Sequence, residues 1–189
     1  MKKLLLNACL CASLAVIAAC NNNSNNSDSK DVAKEQNDQK FDSTNIEDDT
    51  KFAVNAADGG MLEVQLGKLA QTNGSAQAVK DFGKQMVDDH SKANEELIAT
   101  AKSKNITLPS TLSEDKQKMY DDLVKKKGHD FDKAYMDMMV DDHNEDISDF
   151  QKEADKGNDP DLKAWAAGKV PTLQHHLDMA KAAKDAVNK

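Results

Sequence analysis

Three histidines and one glutamate stand where helical periodicity turns them inward. His90 and His143 close two copies of one pentapeptide, Met-Val-Asp-Asp-His, at Met86–His90 and Met139–His143. Each follows a stripe methionine by four residues, with Ala93 or Ile147 ahead of it, so both rings fall on or beside an apolar helical face. Farther along, His176 follows Leu173 by three and precedes Ala180 by four, whereas His175 points about 100° away. Glu63 precedes Leu66 by three and faces the same way. Asp89 and Asp142 flank the two pentapeptide stripes and are positioned to join the set. His129 falls in a loop and needs no role.

Imidazole with carboxylate suits zinc, copper, iron or nickel, and helical bundles build such centres from side chains on facing helices. A ferritin-type di-iron centre needs a glutamate three residues before a histidine on each of two helices. Here the residues three before His90, His143 and His176 are Val87, Val140 and Leu173, all apolar. The pattern therefore fits a mononuclear site of up to three histidines and one or more carboxylates. The same residues admit a second reading, a buried network of neutral histidines hydrogen-bonded to carboxylates that fixes helix register and binds no metal. A metal-dependent envelope enzyme is a third. Met61, Met86, Met136, Met138, Met139 and Met179 add a soft-ligand, copper-type reading beside their ordinary use as adaptable core filler. No nucleophile motif, P-loop, dinucleotide fingerprint or zinc-finger cysteine pair is present.

Five helical segments must position these groups. The first runs from about Glu47 to Thr72, with Phe52, Ala56, Leu62, Leu66 and Leu69 on one side. The second runs from about Ser75 to Lys104 along Val79, Phe82, Met86, Ala93 and Leu97. Pro109 interrupts the pattern, and Ser113 caps a shorter helix ending near Lys127-Gly128. The fourth runs from about Asp130 to Lys156 along Phe131, Tyr135, Met139, Ile147 and Phe150. The last begins near Asp161 and continues to about Val187, with a kink expected at Pro171. Gly59-Gly60 inside the first helix implies close packing or a bend there. Four long helices with a longer connection in the middle describe two hairpins joined by a crossover carrying a short extra helix. This is the all-α, ferritin-like antiparallel four-helix bundle. Superposing His90 on His143 also superposes Phe82 on Tyr135 and Leu97 on Phe150, so the second and fourth segments become pseudo-equivalent. Counted from the turn near Gly74, Glu63 and His90 differ in height by roughly 7 Å, at about 1.5 Å per residue.

The amino terminus has a different logic. Two lysines, an interrupted apolar stretch from Leu4 to Ala19 and small residues form a secretory signal, too short to span a membrane as a helix. Ile17-Ala18-Ala19-Cys20 resembles the lipobox of bacterial lipoproteins. That resemblance implies removal of residues 1–19 and acylation of Cys20, palmitate among the chains, anchoring the protein to a membrane of the bacterial cell envelope. Periplasm or outer membrane is the expected location. Cys20 is then the sole mature cysteine, and lipidation accounts for a lone thiol in an oxidising compartment. Residues 20–46 are rich in asparagine and serine, and read as a disordered tether to a domain at 47–189. Loss of Lys2 and Lys3 takes the formal charge from −8 to −10, which argues against nucleic acid and against electrostatic adhesion to anionic lipid.

Four stretches, Phe52–Ala70, Val79–Leu97, Phe131–His143 and Val170–Ala180, resemble the bacterial DUF4142 family, grouped with ferritin-like proteins. The resemblance implies the same bundle and an envelope location. The family carries no established activity.

Overall fold

The computed structural model describes residues 28–189; the signal segment, Cys20 and the tether up to residue 27 lie outside it. Among the described residues there are six helices and no strand: α1 (Ser29–Phe41), α2 (Glu47–Asn73), α3 (Gln77–Ser103), α4 (Glu114–Val124), α5 (Gly128–Lys156) and α6 (Pro160–Val187). No helix among them is long and apolar enough to cross a membrane.

Helices α2 and α3 form one hairpin and α5 and α6 another; α3 also touches α6, and α2 touches α5. This leaves α3 and α5 diagonal across the bundle. The connection through α4 returns the chain to the end where α3 began, so α3 and α5 run parallel. Asp132, four residues into α5, marks that shared end: its carboxylate accepts the backbone N–H groups of Ser75 at 3.0 Å and Ala76 at 2.8 Å. Helix α3 has no capping side chain of its own, so a buried aspartate on a neighbouring helix satisfies its first orphan donors. The opposite end repeats the device, with Asp49 of α2 accepting from Asn158 and Asp159 N–H just before α6.

Close approach of α2 and α3 depends on two glycines. A Cβ at Gly67 would lie 2.5 Å from the Gly83 carbonyl oxygen, and one at Gly83 2.6 Å from the Ala70 Cβ. Gly60 is likewise pressed by the Asn94 side chain, whereas Gly59 faces open space, so packing explains only one of that pair. The core divides along the bundle axis. Leu62, Leu66, Phe82, Met86, Tyr135 and Met139 belong to one apolar cluster. Toward the other end, Phe150, Ala166 and Leu173 form a second and Ala53, Leu97 and Leu162 a third. Met86 and Met139 are fully buried in the first cluster, the packing use rather than an exposed thioether set.

The expected tether is corrected at its carboxyl end. Residues 29–41 form α1, and Ala33 and Asn37 within it are buried. Hydrogen bonds rather than an apolar face hold α1 down. The Asn37 amide donates to the Thr107 carbonyl at 2.8 Å and accepts the Thr107 N–H at 2.7 Å. The Asp28 carboxylate caps α1 and also accepts the Glu114 N–H at 2.7 Å. Lys30 reaches the wholly buried Asp58 at 3.2 Å, and Asp58 accepts both the N–H and the hydroxyl of Ser113. The domain therefore begins before residue 47. His129, expected in a loop, lies in the first turn of α5 and is exposed. Helix α6 runs unbroken through Pro171.

Candidate metal centre

Between the apolar clusters lies a polar layer with one group from each long helix: Glu63 of α2, His90 of α3, His143 of α5 and His176 of α6. All four are buried. Ring centroids stand 5.9 Å apart for His90–His143, 5.3 Å for His90–His176 and 5.4 Å for His143–His176. His90 Nδ1 lies 2.7 Å from Glu63 Oε2, and His143 Nε2 3.6 Å from Glu63 Oε1. The height difference expected between Glu63 and His90 is thus closed, for two reasons. The turn occupies Gly74–Ala76, so Glu63 is ten residues from the end of α2 and His90 thirteen from the start of α3. In addition, helical side chains lean toward their own N-terminus, which carries Glu63 away from the turn and His90 back toward it.

Each histidine has one ring nitrogen occupied and one free. The His143 Nδ1–H donates to the Met139 carbonyl at 2.9 Å; a carbonyl only accepts, so Nε2 holds the lone pair. His176 Nε2–H donates to Asp89 Oδ2 at 2.9 Å. Partial burial works against the Asp89 charge, but hydrogen bonds from Gln85 and His176 hold its carboxyl below the ordinary value, so it stays an acceptor. His90 has Nδ1 against Glu63. The remaining atoms, His90 Nε2, His143 Nε2 and His176 Nδ1, are buried without any hydrogen-bond partner. One ring nitrogen of each histidine lies within 4.8 Å of one from each of the others. Drawing three such nitrogens to about 2.1 Å from a common ion requires shifts of roughly 1 Å each.

The layer is neutral at its histidines. Burial pushes His90 and His176 down to about 4, against the opposing pull of Asp142 and Asp89 on His90 and of the Asp89 hydrogen bond on His176. Burial also lowers His143, opposed by Glu63. Neutral imidazole is the form that ligates a metal. Glu63 is pushed the other way, up to about 8, chiefly by burial; His143 opposes that rise and Asp142 adds to it.

Asp142 belongs to a second grouping. One atom each from Glu63, Asp142 and His143 lie within 4.8 Å of one another. Asp142 Oδ1 pairs with Lys116 of α4 at 3.2 Å, while Oδ2 is buried without a partner. Sequence reading missed Lys116, since the short crossover helix gives no register with the bundle. It also missed Asp146, whose carboxyl burial raises well above its ordinary value, with the Glu63 and Asp142 carboxylates acting in the same direction. Asp146 lies one turn beyond Asp142, and that i,i+4 spacing was the available signal. His175 is exposed and takes no part.

No curated protein and no solved structure matches this chain. A family model does, over residues 29–183, described as a domain of unknown function, DUF4142. That match starts at α1 and runs to the last turns of α6, and the chain belongs to the DUF4142 family.

Proposed function

We propose that the bundle binds one transition-metal ion through His90, His143 and His176, with Glu63 beside it, and that a lipid on Cys20 holds the domain at the bacterial cell envelope. The observation that carries the metal reading is the set of three buried ring nitrogens without partners, each on a ring whose other nitrogen is engaged. A network selected only for structure satisfies its buried atoms, because each orphaned one costs about 1–3 kcal/mol. Ring orientation by a carbonyl, a carboxylate or a glutamate is what metal-ligating histidines require of their surroundings. Nitrogen-rich ligation with one carboxylate nearby suits zinc, copper or iron.

The test is metal content of the full-length chain purified without added metal and after incubation with zinc, copper(I) or iron(II). One tightly held ion per chain is expected, and none in the His90→Ala/His143→Ala/His176→Ala protein. Failure of all three metals to bind the wild-type chain stoichiometrically would sink the metal reading and favour the structural network. For the anchor, Cys20→Ser should move the protein from the membrane pellet to the soluble fraction; retention in the pellet would refute lipidation as the tether.

A further inference from the structure

On one side the polar layer comes close to the surface. A pocket of about 130 Å³ opens between α3 and α6, and two of the three histidines, His90 and His176, form part of its wall. Ala93, Phe150 and Leu173 supply apolar lining, while Thr172, the cations Lys92 and Lys169 and the carboxylates Asp89 and Glu96 contribute its polar side. Lys169 is ion-paired with Glu96, whereas Lys92 is exposed and in no ion pair among the described residues. His143, by contrast, is fully buried and absent from that wall.

We infer that this pocket is the route by which a small anion reaches the metal and takes the coordination position that the three histidines leave open. The inference rests on the metal reading above and extends it. Three neutral imidazoles contribute no charge, so a divalent ion held by them favours an anionic fourth ligand. A position open to solvent is what separates reactive three-histidine centres from closed structural ones. Glu63 is not part of the pocket wall; it pairs with His90 and stands 3.6 Å from His143. The open side is therefore the one facing Ala93, Leu173 and the two lysines.

Size limits the ligand. A cavity near 150 Å³ holds a benzene, so this pocket admits about six non-hydrogen atoms or fewer. Azide, nitrite, hydrogencarbonate and small carboxylates meet that limit. Apolar lining lowers the local dielectric and strengthens the ion–anion attraction, and Lys92, in no ion pair among the described residues, adds positive charge near Asp89.

The experiment loads the full-length chain with cobalt(II), whose visible absorption reports its ligands, and titrates it with azide, acetate and naphthoate. Azide and acetate should each change the cobalt spectrum saturably at one equivalent, and naphthoate should not. Thr172→Trp, on an exposed face of α6, and Ala93→Phe, on the opposite wall, should keep one cobalt per chain and weaken azide at least tenfold. An azide-insensitive spectrum with full cobalt occupancy overturns the pocket route alone. So does equal binding of naphthoate, or unchanged azide affinity in both filled variants. Absence of cobalt uptake by the wild-type chain overturns the metal centre and this inference with it.

Discussion

His143→Leu separates a metal site from a structural network through the stability of the metal-free protein. The side chain is fully buried, and leucine is close to histidine in volume, so the replacement leaves little void. Its loss removes one hydrogen bond, Nδ1–H to the Met139 carbonyl, worth about 0.5–1.5 kcal/mol. That carbonyl still accepts a main-chain N–H within α5, so no new orphan is created. The replacement also removes Nε2, a buried acceptor without a partner, whose desolvation costs about 1–3 kcal/mol. On balance the metal-free variant gains about 1 kcal/mol, a rise in Tm of roughly 2–4 °C for a chain of this size. Circular dichroism melts in chelator at pH 6 read this with Glu63 protonated and His90 and His176 neutral. The same variant should lose stoichiometric metal. A fall in Tm of more than about 3 °C would refute the reasoning, because it would mean that Nε2 has a stabilising partner in the apo protein.

Two further outcomes follow from the geometry. Asp132→Ala removes the carboxylate that accepts from Ser75 and Ala76 at the start of α3, and should cost about 3–4 kcal/mol, since bonds to a charged acceptor are worth roughly 1.5–3 each and add incompletely; a melt shifted by less than about 3 °C would show that water replaces the cap. Stability of the metal-free protein should peak near pH 5–6, measured as Tm across a pH series in chelator. Glu63 and Glu153 are raised by burial to about 8 and about 7, so the folded state holds protons that the unfolded chain has released, and stability falls as pH climbs from 4.5 through those values. His90 and His176 are lowered to about 4, so the unfolded chain takes up protons first, and stability falls as pH drops from 6.5 toward 4. A profile still rising at pH 8 would contradict the sign assigned to Glu63 and Glu153, and one that does not fall between pH 6 and 4 would contradict that of His90 and His176.

Helix positions were legible because the apolar stripes of α2, α3, α5 and α6 repeat at helical spacing over many turns, and Ser113 caps where a capping residue belongs. The composition of α1 hid it. Its anchors are Asn37, Lys30 and Asp28, the residue types that mark a chain as disordered when partners are unseen. The partners of Asn37 and Asp28 sit in the Thr107–Glu114 connection, some 70 to 86 residues away, and that of Lys30 is Asp58 on α2, so no local pattern carries that information. The inward facing of Glu63, His90, His143 and His176 was readable for the same reason as the stripes. Which nitrogen of each ring is engaged was not, because Glu63 and Asp89 reach the His90 and His176 rings through tertiary packing, and the rotamer that turns His143 Nδ1 back to the Met139 carbonyl of its own helix is set by the same packing. Lys116 was hidden likewise, since the rotation of α4 over the bundle depends on Asp58 holding Ser113.

The two Met-Val-Asp-Asp-His segments occupy matching places on parallel helices, yet their aspartates do different work. Helix α3 lies beside α6, so Asp89 faces His176 and fixes its ring through Nε2–H. Helix α5 lies under the crossover, so Asp142 meets Lys116 instead, and its carboxylate also lies close to Glu63 and His143. Identical residues at equivalent positions therefore diverge because their neighbours are not equivalent. Asp89→Ala should leave the fold nearly intact, the side chain being a quarter exposed, and weaken metal binding about 10–100-fold by freeing the His176 ring. Asp142→Ala should act mainly on stability: Lys116, a largely enclosed ammonium, loses its partner, and a half-buried charge left unpaired costs a few kcal/mol. Competition titration against a zinc chelator, with melts run alongside, reads both effects. If Asp142→Ala abolishes binding outright while the protein stays folded, Asp142 is itself a ligand and the division of labour drawn here is wrong. Equal, modest losses from both variants would instead make the repeat a symmetric pair of supporting carboxylates.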